Sequence, residues 1–170
     1  MPTVYGPLLP NYPKPKSRMD LSVGDFVYSL IAGGPKGPKT WPYDPGMSAW
    51  FIDVRDAAKA VRPLFLSLSF LSLTLSILQH ILALTSKPSP VDKRIIIVSK
   101  VFKWPEIAEV IRTQRPELAD RLPSSDIPPP DQMSYVPDLT LARDILGLKE
   151  YIPWEDTILK TIDVGLILEQ

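Results

Sequence analysis

The chain has 170 residues, with 19 Lys and Arg against 19 Asp and Glu, one His and no Cys. A net charge of zero gives no electrostatic footprint for nucleic acid, whose phosphates call for a surplus of basic side chains on one face. Without cysteine there is no disulfide, thiolate zinc site or cysteine nucleophile, and a single histidine cannot make a zinc triad.

Two features need an account: 20 prolines, and a stretch from Pro63 to Ser86 in which His80 is the one chargeable side chain. Most of the prolines cluster at Pro7 to Pro15, Pro35 to Pro45, Pro88 to Pro90 and Pro123 to Pro137, between periodic segments, where they punctuate loops. No charged leader with an apolar core and small-residue cleavage site opens the chain, and the expectation is a cytoplasmic protein.

In chain order, Thr3-Val4-Tyr5 reads as a strand broken by Gly6-Pro7. Leu21, Val23, Phe26, Val27, Leu30 and Ile31 recur at helical spacing and predict a helix from Leu21 to Ile31 that Gly33-Gly34 ends. Ala49 to Val54 is a second strand, followed by helix formers from Arg55 to Ala60 with Asp56 placed to favour the helix start. Arg94-Ile95-Ile96-Ile97-Val98 is a continuous β-branched run, the pattern of a strand covered on both faces. Pro105 suits the first turn of a helix whose apolar side holds Ile107, Ala108, Val110 and Ile111. Asp138 is an expected N-cap for a helix that Gly147 stops. Trp154, Ile158, Ile162 and Leu166 stand at successive i+4 steps and predict an amphipathic C-terminal helix. The pattern is α/β.

The chemistry is mostly absent. No nucleophile elbow, Walker A or Gly-x-Gly-x-x-Gly motif occurs, and Gly33-Gly34-Pro35-Lys36-Gly37 lacks the preceding strand a phosphate loop needs. Tyr12 and Lys16 have the Tyr-x-x-x-Lys spacing of a reductase proton donor. That chemistry needs both on one helical face, which Pro13 and Pro15 oppose, so the pair reads as loop. His80 stands alone in an apolar run and reads as non-catalytic. Asp53 and Asp56 read as structural acids at a strand-to-helix junction.

Three segments taken together, Val4 to Pro7, Phe51 to Ala60 and Leu146 to Thr157, resemble the C-terminal part of the extended short-chain dehydrogenase/reductases. The likeness points to the NAD-dependent epimerase/dehydratase family, in its branch of dihydroflavonol-reductase-like proteins and fungal ketone and aldehyde reductases. The resemblance implies an incomplete Rossmann-type fold, made of the last strands plus a mostly helical substrate-binding lobe. It implies NADP or NAD as cofactor and a small-molecule carbonyl substrate, a ketone or aldehyde. Tyr5, Gly6 and Pro7 would line the pocket floor near the nicotinamide, and Leu8 and the loop to Tyr12 would form part of the substrate wall. The family's Gly-rich turn and its Ser, Tyr and Lys catalytic residues precede the Val-Tyr-Gly-Pro strand, and its proline beside the nicotinamide would fall on Met1. The resemblance therefore implies a C-terminal fragment without catalytic residues, inactive alone and unable to bind the cofactor by itself. The run Arg94 to Val98, read as a doubly covered strand, needs neighbours this sequence does not supply, so the chain is expected to be marginally stable or to require a partner, a complementing or second identical chain.

In the family pattern the helix through Ala60 runs directly into His80-Ile81-Leu82-Ala83-Leu84, so residues 61–79 are an insert. It is rich in Leu, Ser and Phe, whose codons are largely pyrimidine. It begins with a GTN codon and ends on a residue that CAG encodes, and it keeps the reading frame. A retained intron is the favoured reading. A membrane helix over 64–84 and a buried helix or hairpin are the competing ones, the first weakened by the Ser, Thr and Gln residues inside it. The expected organisation is thus 1–60, the end of the core and start of the lobe; 61–79, the insert; and 80–170, the substrate lobe with one returning strand. The opposing function is a non-catalytic interaction module, membrane-associated through 64–84.

Overall fold

The computed structural model describes residues 2–34, 39–42, 50–66, 95–124, 126–130 and 135–170. β-Branched and aromatic side chains at Thr3–Tyr5 and Trp50–Asp53 form β1 and β2, which pair in parallel with Val4 opposite Ile52 and Tyr5 opposite Asp53. A parallel pair requires a crossover, and here the connection carries α1, Gly24–Ser29. Strand β3, Lys100–Val101, pairs antiparallel with β2 and completes a sheet of order β1-β2-β3.

The returning strand corrects the expectation drawn from the β-branched run. Ile95 to Val98 are not in strand; the ladder starts just beyond them, where the Ser99 N–H donates to the Phe51 carbonyl at 2.9 Å. Ile95 and Ile97 pack instead on a small cluster of Ala60, Ala142 and Leu148. Alternation thus covers one side of the run with helix, and the sheet is mixed rather than wholly parallel.

The predicted helix from Leu21 to Ile31 is also divided. A single 3-10 turn, Arg18–Leu21, precedes α1, and Ser22 between them takes φ 50° and ψ −127°. That left-handed region suits glycine, and a serine there costs on the order of 1–3 kcal/mol. Gly34, at φ 63°, closes the turns that follow α1.

Helix α2, Val54–Leu66, continues through Pro63, whose imide nitrogen has no hydrogen to give the Lys59 carbonyl. Its last residues are the first of the expected insert; residues 67–79, His80 and the rest of the candidate span to Leu84 lie outside the described residues. Among the described residues no helix is long and apolar enough to cross a membrane.

Helix α3, Trp104–Gln114, starts with Pro105 in its first turn and buries Trp104, Ile107, Ala108 and Ile111. Helix α4, Thr140–Leu146, has Leu139 rather than Asp138 at its N-cap, and Asp138 sits one residue earlier, accepting the Thr140 N–H at 2.9 Å. Gly147 ends it in the left-handed conformation, with the Leu148 N–H returning to the Ala142 carbonyl at 3.3 Å. Helix α5, Trp154–Leu166, lays Ile158 and Ile162 into the core.

That core is one cluster that runs from the sheet to α1 and α5. Tyr5, Phe51, Phe102 and Trp104 form an aromatic row, with Phe102 centred 5.5 Å from both Phe51 and Trp104. Val27, Tyr28 and Ile31 then join it to α5. The approach of α1 to α5 depends on Gly165, where a Cβ would stand 2.3 Å from Tyr28 Cδ2 and 2.6 Å from its Cγ. The Tyr28 hydroxyl donates to Glu169 Oε1 at 2.8 Å, and the same carboxylate takes Arg121 through Nη1 at 2.9 Å and Nη2. Arg121 Nε donates to the Ile31 carbonyl at 2.7 Å, so one guanidinium fastens the chain's last turn to the exit of α1.

Candidate functional site

The site begins where β1 leaves the sheet. Gly6 has φ 137°, and a Cβ on it would lie 2.9 Å from Val54 Cγ1, so the backbone turns here against the start of α2 with no room for a side chain. The Gly6 N–H donates to Thr161 Oγ1 at 2.9 Å, and that hydroxyl donates to the Thr157 carbonyl at 2.8 Å. One helical turn earlier, Thr157 Oγ1 donates to Asp53 Oδ2 at 2.7 Å. The ends of both parallel strands are thus tied to one face of α5.

Asp53 is fully buried and accepts, besides Thr157, the Arg55 N–H at 2.8 Å, Nε at 2.8 Å and Nη2 at 2.7 Å. Burial pushes its carboxyl up, but the hydrogen bonds from Arg55 and Thr157 outweigh it and hold the group below its ordinary value. Arg55 also donates to Asp156 at 3.0 Å, which receives Lys160 at the same distance. Asp56, equally buried, accepts the Ile152 N–H at 2.7 Å and Lys59 Nζ at 2.8 Å. Both acids are occupied by structural donors, as their position at a strand-to-helix junction suggested.

These bonds also assemble the three segments that carry the resemblance. Val4 to Pro7 and Phe51 to Ala60 run side by side as β1 and β2 with their exits, and Leu146 to Thr157 is fastened to the second through Ile152 on Asp56 and Thr157 on Asp53.

Above the strand ends lies a cavity of about 220 Å³. Its floor is Val4, Tyr5, Gly6, Pro7 and Leu8; one wall is the turn from Asp20 to Gly24, and Val54, Thr161 and Val164 complete it. The C-terminal edge of parallel strands is where open α/β sheets bind ligands. Four of the five expected site residues, Tyr5, Gly6, Pro7 and Leu8, therefore share one cavity, whereas Tyr12 is 62% exposed and is not among the lining residues. Tyr12 and Lys16 lie in a non-helical segment, without the common helical face that proton donation by such a pair requires.

Sequence reasoning missed the wall from Asp20 to Gly24 and the contributions of Val54, Thr161 and Val164. They come from separate elements brought together by α1 packing on α5, and no local motif marks them.

The lining is mainly apolar and contains no Lys, Arg or His. A dinucleotide needs donors for its pyrophosphate and a crevice of larger size, so these residues do not fit one. Among the described residues no group of three potential metal ligands occurs.

Two parallel strands with a helical crossover and a returning antiparallel strand make an α/β chain with a partial Rossmann fold. No family model matches the sequence, and no curated protein does either. Among solved structures, the chain is similar to the crystal structure of yeast methylglyoxal/isovaleraldehyde reductase Gre2 complexed with NADPH. The TM-score is 0.55 and the identity 18%, over 98% of this chain. This is a likeness of fold, and the chain spans 45% of that reductase's length.

Proposed function

We propose that these residues form the substrate side of an NAD(P)-dependent reductase of the extended short-chain dehydrogenase/reductase kind, in its epimerase/dehydratase branch. The substrate is a small aldehyde or ketone. The observation that carries this reading is the cavity at the C-terminal ends of β1 and β2, floored by Tyr5 to Leu8. Two further observations support it. Two of the segments that resemble the family contribute to its lining and the third is hydrogen-bonded to the second, and the fold is similar to that of a reductase of methylglyoxal and isovaleraldehyde. An apolar space of about 220 Å³ suits a short aliphatic carbonyl compound rather than a large one.

In this reading the chain's own residues shape the apolar wall of the substrate pocket. The cofactor and the proton donor fall to residues outside these 170, on a complementing chain or elsewhere in the same protein. Titrating the 170-residue chain with NADPH, followed by nicotinamide fluorescence, tests the division. No saturable signal is expected up to about 1 mM, the top of the ordinary KM range. Saturable binding with enhanced fluorescence would place a cofactor site within these residues and overturn the reading.

A further inference from the structure

Ser22 combines two properties: it lines the cavity, and among the described residues it is the non-glycine residue with positive φ. Its angles match the first central position of a type II′ turn, which glycine ordinarily fills. A serine held there at a cost needs a use for its side chain.

The other polar groups around the cavity narrow that use. Thr161 both accepts and donates through its hydroxyl, from Gly6 and to Thr157. Asp20 receives the N–H groups of Lys16 at 2.8 Å and Ser17 at 2.9 Å, and an ionised carboxylate has no hydrogen to offer a ligand oxygen. Tyr5 is buried in the aromatic row. The Ser22 hydroxyl makes no hydrogen bond among the described residues, and Ser22 is exposed on the turn that walls the cavity.

We propose that Ser22 is a substrate-binding residue whose hydroxyl hydrogen-bonds an oxygen of the small carbonyl compound, or of the corresponding alcohol, held in the cavity. The inference rests on the function proposed above and adds to it the side chain that recognises the ligand's polar end. The apolar lining takes the carbon skeleton, and the strained turn presents a hydroxyl at a place where no regular element would hold one.

The test uses 3-methylbutan-1-ol, which has the isovaleraldehyde skeleton but does not condense with lysine. Its affinity is measured by NMR titration for the native chain, Ser22→Ala and Ser22→Gly. Alanine keeps the strained backbone and removes the hydroxyl. Glycine removes the hydroxyl and relaxes the backbone, raising Tm by about 2–4 °C. Both variants are expected to bind the alcohol about three- to tenfold more weakly, the loss of one neutral hydrogen bond. A shared loss in two variants of different stability assigns the effect to the hydroxyl, because a merely structural role would make affinity follow Tm. Unchanged affinity in Ser22→Ala beside saturable native binding overturns this inference alone. Absence of native binding overturns it together with the proposed function.

Discussion

Asp53→Asn is expected to destabilise the chain by about 2–3 kcal/mol, lowering Tm by roughly 5–10 °C. The substitution keeps size and shape but turns one carboxylate oxygen into an NH2 group facing donors. Asp53 accepts four hydrogen bonds, three from Arg55 and one from Thr157, and whichever way the amide turns, at least one donor loses its acceptor. Arg55 is about one-third exposed, so water recovers part of its loss, and the figure stands at or below the range for a wholly buried pair.

The same carboxylate fixes a pH dependence. Its folded value is held below the unfolded value of about 3.9, as is that of Glu169 relative to its own, where the hydrogen bond from Arg121 outweighs burial. Groups of this sign contribute fully above the unfolded value, and the contribution is lost as pH falls through the folded one. The native chain's stability against urea should therefore fall as pH is lowered below about 4. The Asp53→Asn variant should show a shallower loss over the same interval.

Gly165→Ala is expected to destabilise by about 2 kcal/mol, although Gly→Ala inside a helix ordinarily gains about 1 kcal/mol from propensity. The sign reverses because the new methyl would fall 2.3 Å from Tyr28 Cδ2 and 2.9 Å from Tyr28 Cβ, and the ring is held at its other end by Glu169. A double-mutant cycle with Tyr28→Ala checks the cause: with the ring gone, Gly165→Ala should become neutral or stabilising in thermal melts. A penalty that persists would locate the strain elsewhere.

Much of the scaffold was legible in the sequence where one local cause decides an element. Thr3 to Tyr5 and Trp50 to Asp53 are strands because of their β-branched and aromatic residues. Pro105 opens α3, Gly147 stops α4, and the i+4 series from Trp154 to Leu166 marks α5. Local pattern failed where long-range packing decides. Ile95 to Val98 has the composition of a central strand, yet Ile95 and Ile97 pack on the cluster of Ala60, Ala142 and Leu148 and pairing begins later. The series from Leu21 to Ile31 is helical in period, but Ser22 breaks it where the chain turns to wall the cavity.

The cavity floor was legible through the family resemblance, which falls on the contiguous stretch Tyr5, Gly6, Pro7 and Leu8. Its upper side was not, because Thr161 reaches Gly6 across 155 positions in the sequence. Tyr12, read together with its neighbours as substrate wall, follows a loop that carries it out into solvent.

The role proposed for the space above Tyr5 to Leu8 is the binding of a small carbonyl compound. Its most direct test is amide-resolved NMR of the native chain titrated with 3-methylbutan-1-ol. Saturable shifts are expected, concentrated at Tyr5, Gly6, Leu8, the turn from Leu21 to Gly24, and Thr161. Saturable shifts centred elsewhere, or none as the alcohol is raised, would contradict it.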